Sequence, residues 1–381
     1  MTEKIFVIAG EASGDLHGSN LIRSLRDERP DIEIYGVGGD RIRETGALEF
    51  YDLAHFHVTG VTDALKRLPD YRRAEAAILA SIRKSRPNLV VLIDNPGFNL
   101  HLAQKIHAMR IPIVYYIAPQ VWAWAPKRIR KIKRYVTKVL VVFEFEKEIY
   151  EKEGIPVEWV GHPLKDVLSA GRGGVKAEGN RVALMPGSRK GELKMLFSVF
   201  MKAAALLKRR VPDTEFVLIK APTLSRSFYE RLIRGSAVPV RLVENDAYTE
   251  IRKSRLAIVC SGTATLECAL LGTPMVICNR GTLVTYLTAR ALIKVPFLGL
   301  PNLILGSRKI PELLQYDATP EKIAAAAARL LIDRTARQSM KGDLEEVSRR
   351  LGDSGANRRA AIETLNVLGV TRSAGTSPAR K

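Results

Sequence analysis

A chain of 381 residues, 46% of them hydrophobic, is longer than one ordinary domain and suits two cores. Its three cysteines (Cys260, Cys268 and Cys278) are too few and too scattered for a disulfide framework or a zinc site, and read as buried thiols of a reducing compartment. The net charge of +20 predicts attraction to something anionic, whether nucleic acid, a phospholipid surface or a phosphorylated substrate.

In chain order, MTEKIFVIAG has a short apolar core that runs straight into a strand, which argues against a signal peptide and for a cytosolic start. A helix is expected from about Asp15. IEIYGVGG is the next strand, followed by another helix; NLVVLID, IPIVYYIA and TKVLVVF each lead into polar, helix-like sequence. That alternation predicts βαβ units on a parallel sheet. SAGRGGVKAEGN at 169–180 reads as a linker. Beyond it RVALMPG, TEFVLIK, VPVRLVE, RLAIVCSG and TPMVICN repeat the architecture without repeating the sequence. The longest apolar stretch, 283–306, is interrupted by Arg290, Lys294 and two prolines, which excludes an ordinary membrane span. After 319 the pattern is helical, and one of these helices is expected to fold back across the first domain. The organisation predicted is α/β, with doubly wound Rossmann-like domains at 1–168 and 181–350 facing a cleft. Residues 351–381 form a C-terminal helix and a disordered basic tail.

Chemistry-bearing residues cluster where these strands end. In LVVLIDNPGFN, Asp94 closes an apolar strand and Pro96 with Gly97 is expected to turn the chain; Asp94 is either a helix cap or a base beyond a parallel strand. MPGSRKGE places Gly187 and Ser188 in a turn, with Arg189 as a planar donor fork suited to a diphosphate. VCSGTATLECALLG runs from strand through small residues (Ser261, Gly262, Thr263, Ala264) into a helix whose amides favour phosphate, and Glu267 lies one turn on, in reach of a sugar hydroxyl. A helix capped by Ser261 or Thr263 is the competing reading. Walker, GxGxxG and GxSxG patterns are absent, which argues against a kinase, a dehydrogenase and a serine hydrolase. No Asp-x-Asp or His/Cys cluster suggests a metal, so activity is expected to persist in excess chelator.

Other segments remain open between plain and functional readings. Glu11, Ser13 and Asp15 surround the first strand-to-helix turn, where Ser13 or Asp15 caps the helix or touches an acceptor. His162 in GHPL either contacts ligand or holds the hinge before the linker. Val58, Val61, Leu65 and Leu68 form an apolar stripe beside Lys66 and Arg67, facing a core or a bilayer. PKRIRKIKRYVTK at 126–138 is either a solvated basic face or a site for anionic headgroups, the latter weakening as salt rises.

GEASGD (10–15), YGVGGDR (35–41), IDNPGFN (93–99), APQVWAW (118–124), GHPL (161–164), MPGSR (185–189), SGTATLE (261–267) and LPN (300–302) together resemble the lipid-A-disaccharide synthase family over about 4–368. The resemblance implies a GT-B glycosyltransferase of lipopolysaccharide assembly. It would join UDP-2,3-diacylglucosamine to 2,3-diacylglucosamine 1-phosphate (lipid X) through a β-1,6 bond, with inversion and release of UDP and without a cofactor. It further implies a peripheral place on the cytoplasmic face of the inner membrane of a Gram-negative bacterium, an anionic membrane surface as partner, no nucleic acid, and a homodimer as one allowed state. Asp94 matches the family's essential aspartate, and Arg189, Glu267 and Asn302 fall on donor-side polar positions. Gly97 departs from the many relatives that carry a second Asp there. A UDP-sugar epimerase of the same fold and a basic RNA-binding protein are the alternatives; the second lacks any aromatic-basic motif.

Overall fold

A computed structural model describes residues 2–52, 68–122, 126–169, 177–236, 238–282 and 295–375. The chain forms two compact units, Met1–Asp166 together with Leu351–Lys381, and Val167–Arg350.

The first unit contains a seven-stranded parallel sheet built from β1 (Lys4–Ala9), β2 (Glu33–Gly38), β3 (Leu48–Asp52), β4 (Leu89–Ile93), β5 (Ile113–Tyr116), β6 (Lys138–Val141) and β7 (Val157–Trp159), in the order β3-β2-β1-β4-β5-β6-β7. β1 and β4 pair in register, Ile5 with Leu89 through Ala9 with Ile93. Both are apolar on their two faces because helices cover both sides of the sheet, and their side chains from Ile5 to Ala9 and from Leu89 to Ile93 are fully buried. The strand order reverses direction between β1 and β4, so a crevice opens at the carboxyl ends of these two strands.

The second unit repeats the arrangement with β8 (Asn180–Met185), β9 (Thr214–Ile219), β10 (Arg241–Val243), β11 (Leu256–Cys260), β12 (Met275–Asn279) and β13 (Glu312–Leu314), ordered β10-β9-β8-β11-β12-β13. Here the reversal falls between β8 and β11, paired from Val182–Leu256 to Met185–Val259. Strands β3, β7 and β13 were not expected from the sequence. Each lies at a sheet edge, is three to five residues long and mixes polar with apolar residues, so none leaves an apolar run. After β2 the expected helix is a single turn, Asp40–Arg43. Of the apolar stripe, Val58, Val61 and Leu65 lie outside the described residues, as does the side chain of Leu68, the first residue of helix Leu68–Ser85.

The last helix, Ala356–Gly375, belongs to the first unit and packs along helix Glu11–Glu28. Its start is held by the segment through which the chain first leaves this unit. Asp166 accepts hydrogen bonds from the backbone N–H of Gly355 (2.5 Å), Ala356 (3.3 Å) and Asn357 (2.9 Å) and from Asn357 Nδ2 (2.8 Å). A carboxylate at this end meets amides that have no partner within the helix and the positive end of the helix dipole. Lys165 Nζ donates to Gly352 O, and Arg359 Nε to Val160 O at 2.9 Å, so the outgoing and returning chains are tied side by side. Asp166→Ala is expected to lower stability by about 2 kcal/mol, the upper range for a lost helix cap. Urea unfolding with an unchanged m-value is the measurement.

Candidate active site

Because β1 and β4 are neighbours, the turns that leave them are adjacent, and the Asn95 side chain lies where a Cβ on Gly10 would sit. Asp94 (φ 49°) and Asn95 (φ 42°) are both left-handed, a conformation costing a non-glycine residue on the order of 1 kcal/mol or more. Several bonds enforce it. Asp94 N donates to Tyr116 O at 3.2 Å, while Asp94 O accepts from Asn99 Nδ2 and from Tyr115 OH, each at 2.8 Å. Asn99 Nδ2 also donates to Ile93 O at 3.0 Å. The backbone of Asp94 is thus held on three sides, with its side chain half-buried at the strand end.

This geometry changes two expectations. The turn is made by Asp94 and Asn95, not by Pro96 and Gly97. Pro96 is the first residue of helix Pro96–Ala108, a position that needs no N–H donor. Gly97 is exposed within that helix, and a Cβ there would meet nothing within 4 Å. Nor is Asp94 the helix cap: that position is Asn95, which makes no side-chain cap bond.

Asp15 is also placed differently. It lies inside helix Glu11–Glu28 and is 5% exposed, and its Oδ1 accepts from Gly39 N (2.7 Å) and Ile42 N (3.1 Å) while its Oδ2 accepts from Arg41 N (3.0 Å). It therefore closes the YGVGGDR turn rather than reaching for an acceptor, and a Cβ on Gly38 would crowd it at 3.2 Å. Ser13 is half-buried in the same helix, which starts from Gly10 without a side-chain cap; the side chain of Glu11 lies outside the described residues.

His162 is buried. Its Nδ1 accepts from Leu164 N at 3.2 Å, and its own N–H donates to Leu351 O at 3.1 Å. Burial, helped by His17 edge-on at 6.4 Å, pushes its pKa down to about 3. The ring is thus neutral and tied to the returning chain. Sequence reasoning missed Glu146, whose buried carboxyl accepts from Trp122 Nε1 at 2.9 Å and is pushed up to about 7 by burial. It fixes Trp122, the first of the two tryptophans of APQVWAW, a motif of which residues 123 and 124 lie outside the described residues.

In the second unit, the turn after β8 runs through Gly187 (φ 128°) and Ser188 to Arg189, the N-cap of helix Lys190–Arg210. The turn after the neighbouring strand β11 runs through Ser261 and Gly262 into helix Thr263–Leu270. Neither Ser261 nor Thr263 caps that helix. Its N-cap is Gly262, without a side-chain cap bond, and Gly262 and Thr263 are exposed with Ala264 half-buried behind them. Ser261 Oγ instead donates to Leu298 O at 2.9 Å. Among the described residues no side chain caps the exposed start of this helix, an arrangement suited to an anion. Glu267 lies half-buried one turn on, where burial raises its carboxyl to about 7 and Tyr248 OH approaches at 3.5 Å.

Asn302 does not face this turn. It is fully buried, and all four of its hydrogen-bonding positions are taken: Nδ2 donates to Ile310 O (2.9 Å) and Glu312 Oε2 (3.1 Å), and Oδ1 accepts from Lys309 N (3.0 Å) and Ile310 N (2.9 Å). Glu312 Oε1 in turn accepts from Leu298 N (2.6 Å) and Gly299 N (2.9 Å). Asn302 therefore acts through Glu312 on the loop whose Leu298 carbonyl receives Ser261. Among the described residues, no group of three or more His, Cys, Asp or Glu side chains is arranged to hold a metal ion.

Two doubly wound units, with Asp94 at the switch point of one sheet and anion-type turns at that of the other, define a GT-B protein. Among solved structures of this fold, a glycotransferase of kitacinnamycin aligns with a TM-score of 0.65 at 16% identity, over 97% of this chain and 100% of that one. A Neisseria meningitidis UDP-GlcNAc 2-epimerase bound to UDP-GlcNAc aligns with 0.65 at 13% identity, over 96% and 100%. The family model for lipid-A-disaccharide synthetase matches residues 5–365. Lipid-A-disaccharide synthases of Myxococcus xanthus (38% identical, 96% of this chain and 97% of the relative) and Geobacter sulfurreducens (37%, 97% and 98%) are similar over nearly their full lengths. The chain belongs to the lipid-A-disaccharide synthetase family and is an enzyme of the glycosyltransferase class.

Two substitutions separate support from contact. Asn302→Ala strands buried partners and is expected to cost about 2–4 kcal/mol, whereas Gly97→Asp, exposed in a first helical turn, is expected to stay within about 0.5 kcal/mol. Urea unfolding of both reads the difference; a stable Asn302→Ala protein would contradict the supporting role.

Proposed function

We propose that the protein transfers a 2,3-diacylglucosaminyl group from its UDP donor to the 6-hydroxyl of 2,3-diacylglucosamine 1-phosphate, releasing UDP and forming a β-1,6 bond. The observation that carries the mechanism is Asp94, on a backbone its neighbours hold in an otherwise unfavourable conformation. A single displacement needs one carboxylate to take the hydroxyl proton as the oxygen attacks the anomeric carbon. Such a base works best when it loses no freedom on the way to the transition state. The departing diphosphate would be neutralised by the Arg189 guanidinium, with Gly187 and Ser188 shaping its turn, and by the amides at Gly262, Thr263 and Ala264. An α-linked donor then gives a β-linked product.

Glu267 would accept from a ribose hydroxyl of the donor. Burial raises its carboxyl to about 7, so in the empty protein its contribution to stability is full below about 4.5 and lost as pH rises through about 7. Hydroxyl donors favour the charged form, so binding of UDP would draw this pKa down and release a proton.

The basic run at 126–138 supports peripheral attachment to an anionic cytoplasmic membrane face by charge alone. In helix Arg128–Tyr135, Ile132 is buried and Ile129 half-buried, while Arg130, Lys131, Lys133 and Arg134 are exposed. Among the described residues, no helix is long and apolar enough to cross a membrane.

Purified protein given UDP-diacylglucosamine and lipid X is expected to yield the disaccharide and UDP, scored by mass. Consumption of UDP-sugar without UDP release would favour the epimerase reading. Asp94→Asn, correctly folded, is expected to lose about 10²–10⁴-fold in kcat; wild-type turnover would defeat the proposed role. Calorimetry is expected to find UDP affinity rising from pH 6 to 8 more steeply in the wild type than in Glu267→Gln. Equal slopes would remove Glu267 from the donor site.

A further inference from the structure

We propose that Glu192 is a positioning residue for the donor diphosphate: it aims Arg189 from a carboxylate that is itself fixed by the backbone of the same turn. The inference rests on the donor reading given above and extends it to a residue with no role there.

Glu192 lies in the first turn of helix Lys190–Arg210. Its Oε2 accepts from Ser188 N at 2.9 Å and Arg189 N at 3.2 Å, whereas its Oε1 accepts from Arg189 Nη1 at 3.1 Å. A capping box accounts for the bonds of Oε2. It does not account for Oε1, which ties the guanidinium of the very residue whose amide the other oxygen holds. The backbone of the turn passes close against this side chain: a Cβ on Gly187 would lie 2.6 Å from both the Cβ and the Oε2 of Glu192, so the turn needs glycine there. Thr223 Oγ1 donates to Ser188 O at 2.8 Å, so the Ser188–Arg189 peptide is held at both its carbonyl and its N–H.

An exposed arginine paired with an exposed carboxylate gains little, because two long side chains must be ordered for one contact. Here one partner is already ordered by two backbone amides. Arg189 therefore loses its freedom on folding rather than on meeting the diphosphate, and a guanidinium carries five donors of which this bond uses one. β8 and β11 are neighbours, so the turn that carries this pair leaves the sheet beside the one that feeds the Gly262–Ala264 amides.

Glu192→Gln separates the two bonds. Its side-chain oxygen still accepts from Ser188 N and Arg189 N, but its NH₂ now meets Arg189 as donor against donor. UDP affinity is measured by calorimetry in wild type, Glu192→Gln, Arg189→Ala and the double variant, with thermal unfolding of each. Glu192→Gln is expected to unfold within about 2 °C of wild type, to bind UDP about fivefold more weakly, and to raise KM for the donor more than it lowers kcat. In the Arg189→Ala background the same change is expected to add nothing. Unchanged or tighter UDP binding by Glu192→Gln would overturn the inference, tighter binding identifying Glu192 as a competing anion. An equal loss in the Arg189→Ala background would overturn it as well. If Arg189→Ala itself binds UDP like wild type, the donor reading of this turn fails first.

Discussion

Asn99 holds the structure's most consequential strain. Its amide nitrogen reaches back to the carbonyls of Ile93 and Asp94, and with the Tyr115 hydroxyl it keeps two successive residues left-handed where β4 ends. An extended residue at Asp94 would carry the chain onward from the sheet. The left-handed pair instead brings helix Pro96–Ala108 back at once and leaves the Asp94 side chain at the switch point between β1 and β4. Everything proposed about proton removal depends on this one backbone reversal, whose cost is offset by hydrogen bonds from buried groups.

The carboxylates divide by what surrounds them. Asp15, Asp166, Glu192 and Glu312 each collect two or more N–H donors, mostly from backbone, and each orders a turn or a helix end. Glu146, although it accepts from Trp122 Nε1 and Phe143 N, and Glu267 are instead dominated by desolvation, and burial raises both toward neutrality. The first set gives the fold its fixed turns. The second is where a change in protonation or the arrival of hydroxyl donors has the largest effect, since a buried carboxyl gains most from a new partner.

Much of the architecture was legible because the central strands are apolar on both faces, a pattern only a covered parallel sheet explains. The edge strands were not, being short and half-exposed. The ends of the central strands were equally legible, since Asp94, Arg189 and Ser261 stand just beyond apolar runs. Which way a polar side chain turns was not. Asp15 and Asn302 occupy motif positions yet point into backbone, because the number of amides around them is set by a segment 24 to 27 residues away in one case and by a returning loop in the other. Glu192 had a faint local signal, a carboxylate three residues after a helix N-cap, whereas Glu312 had none.

The first unit is made from both ends of the chain, with Asp166 gripping the start of a helix that begins at Ala356. During synthesis the opening 166 residues emerge with one face of helix Glu11–Glu28 uncovered, and the whole intervening unit is translated before its cover arrives. The intervening unit has a continuous sequence and can condense as soon as it is released. Vectorial production thus completes the proposed donor-binding half before the half that carries Asp94, and a chain cut short between residue 350 and the start of this helix leaves the latter with exposed apolar surface for quality control to recognise.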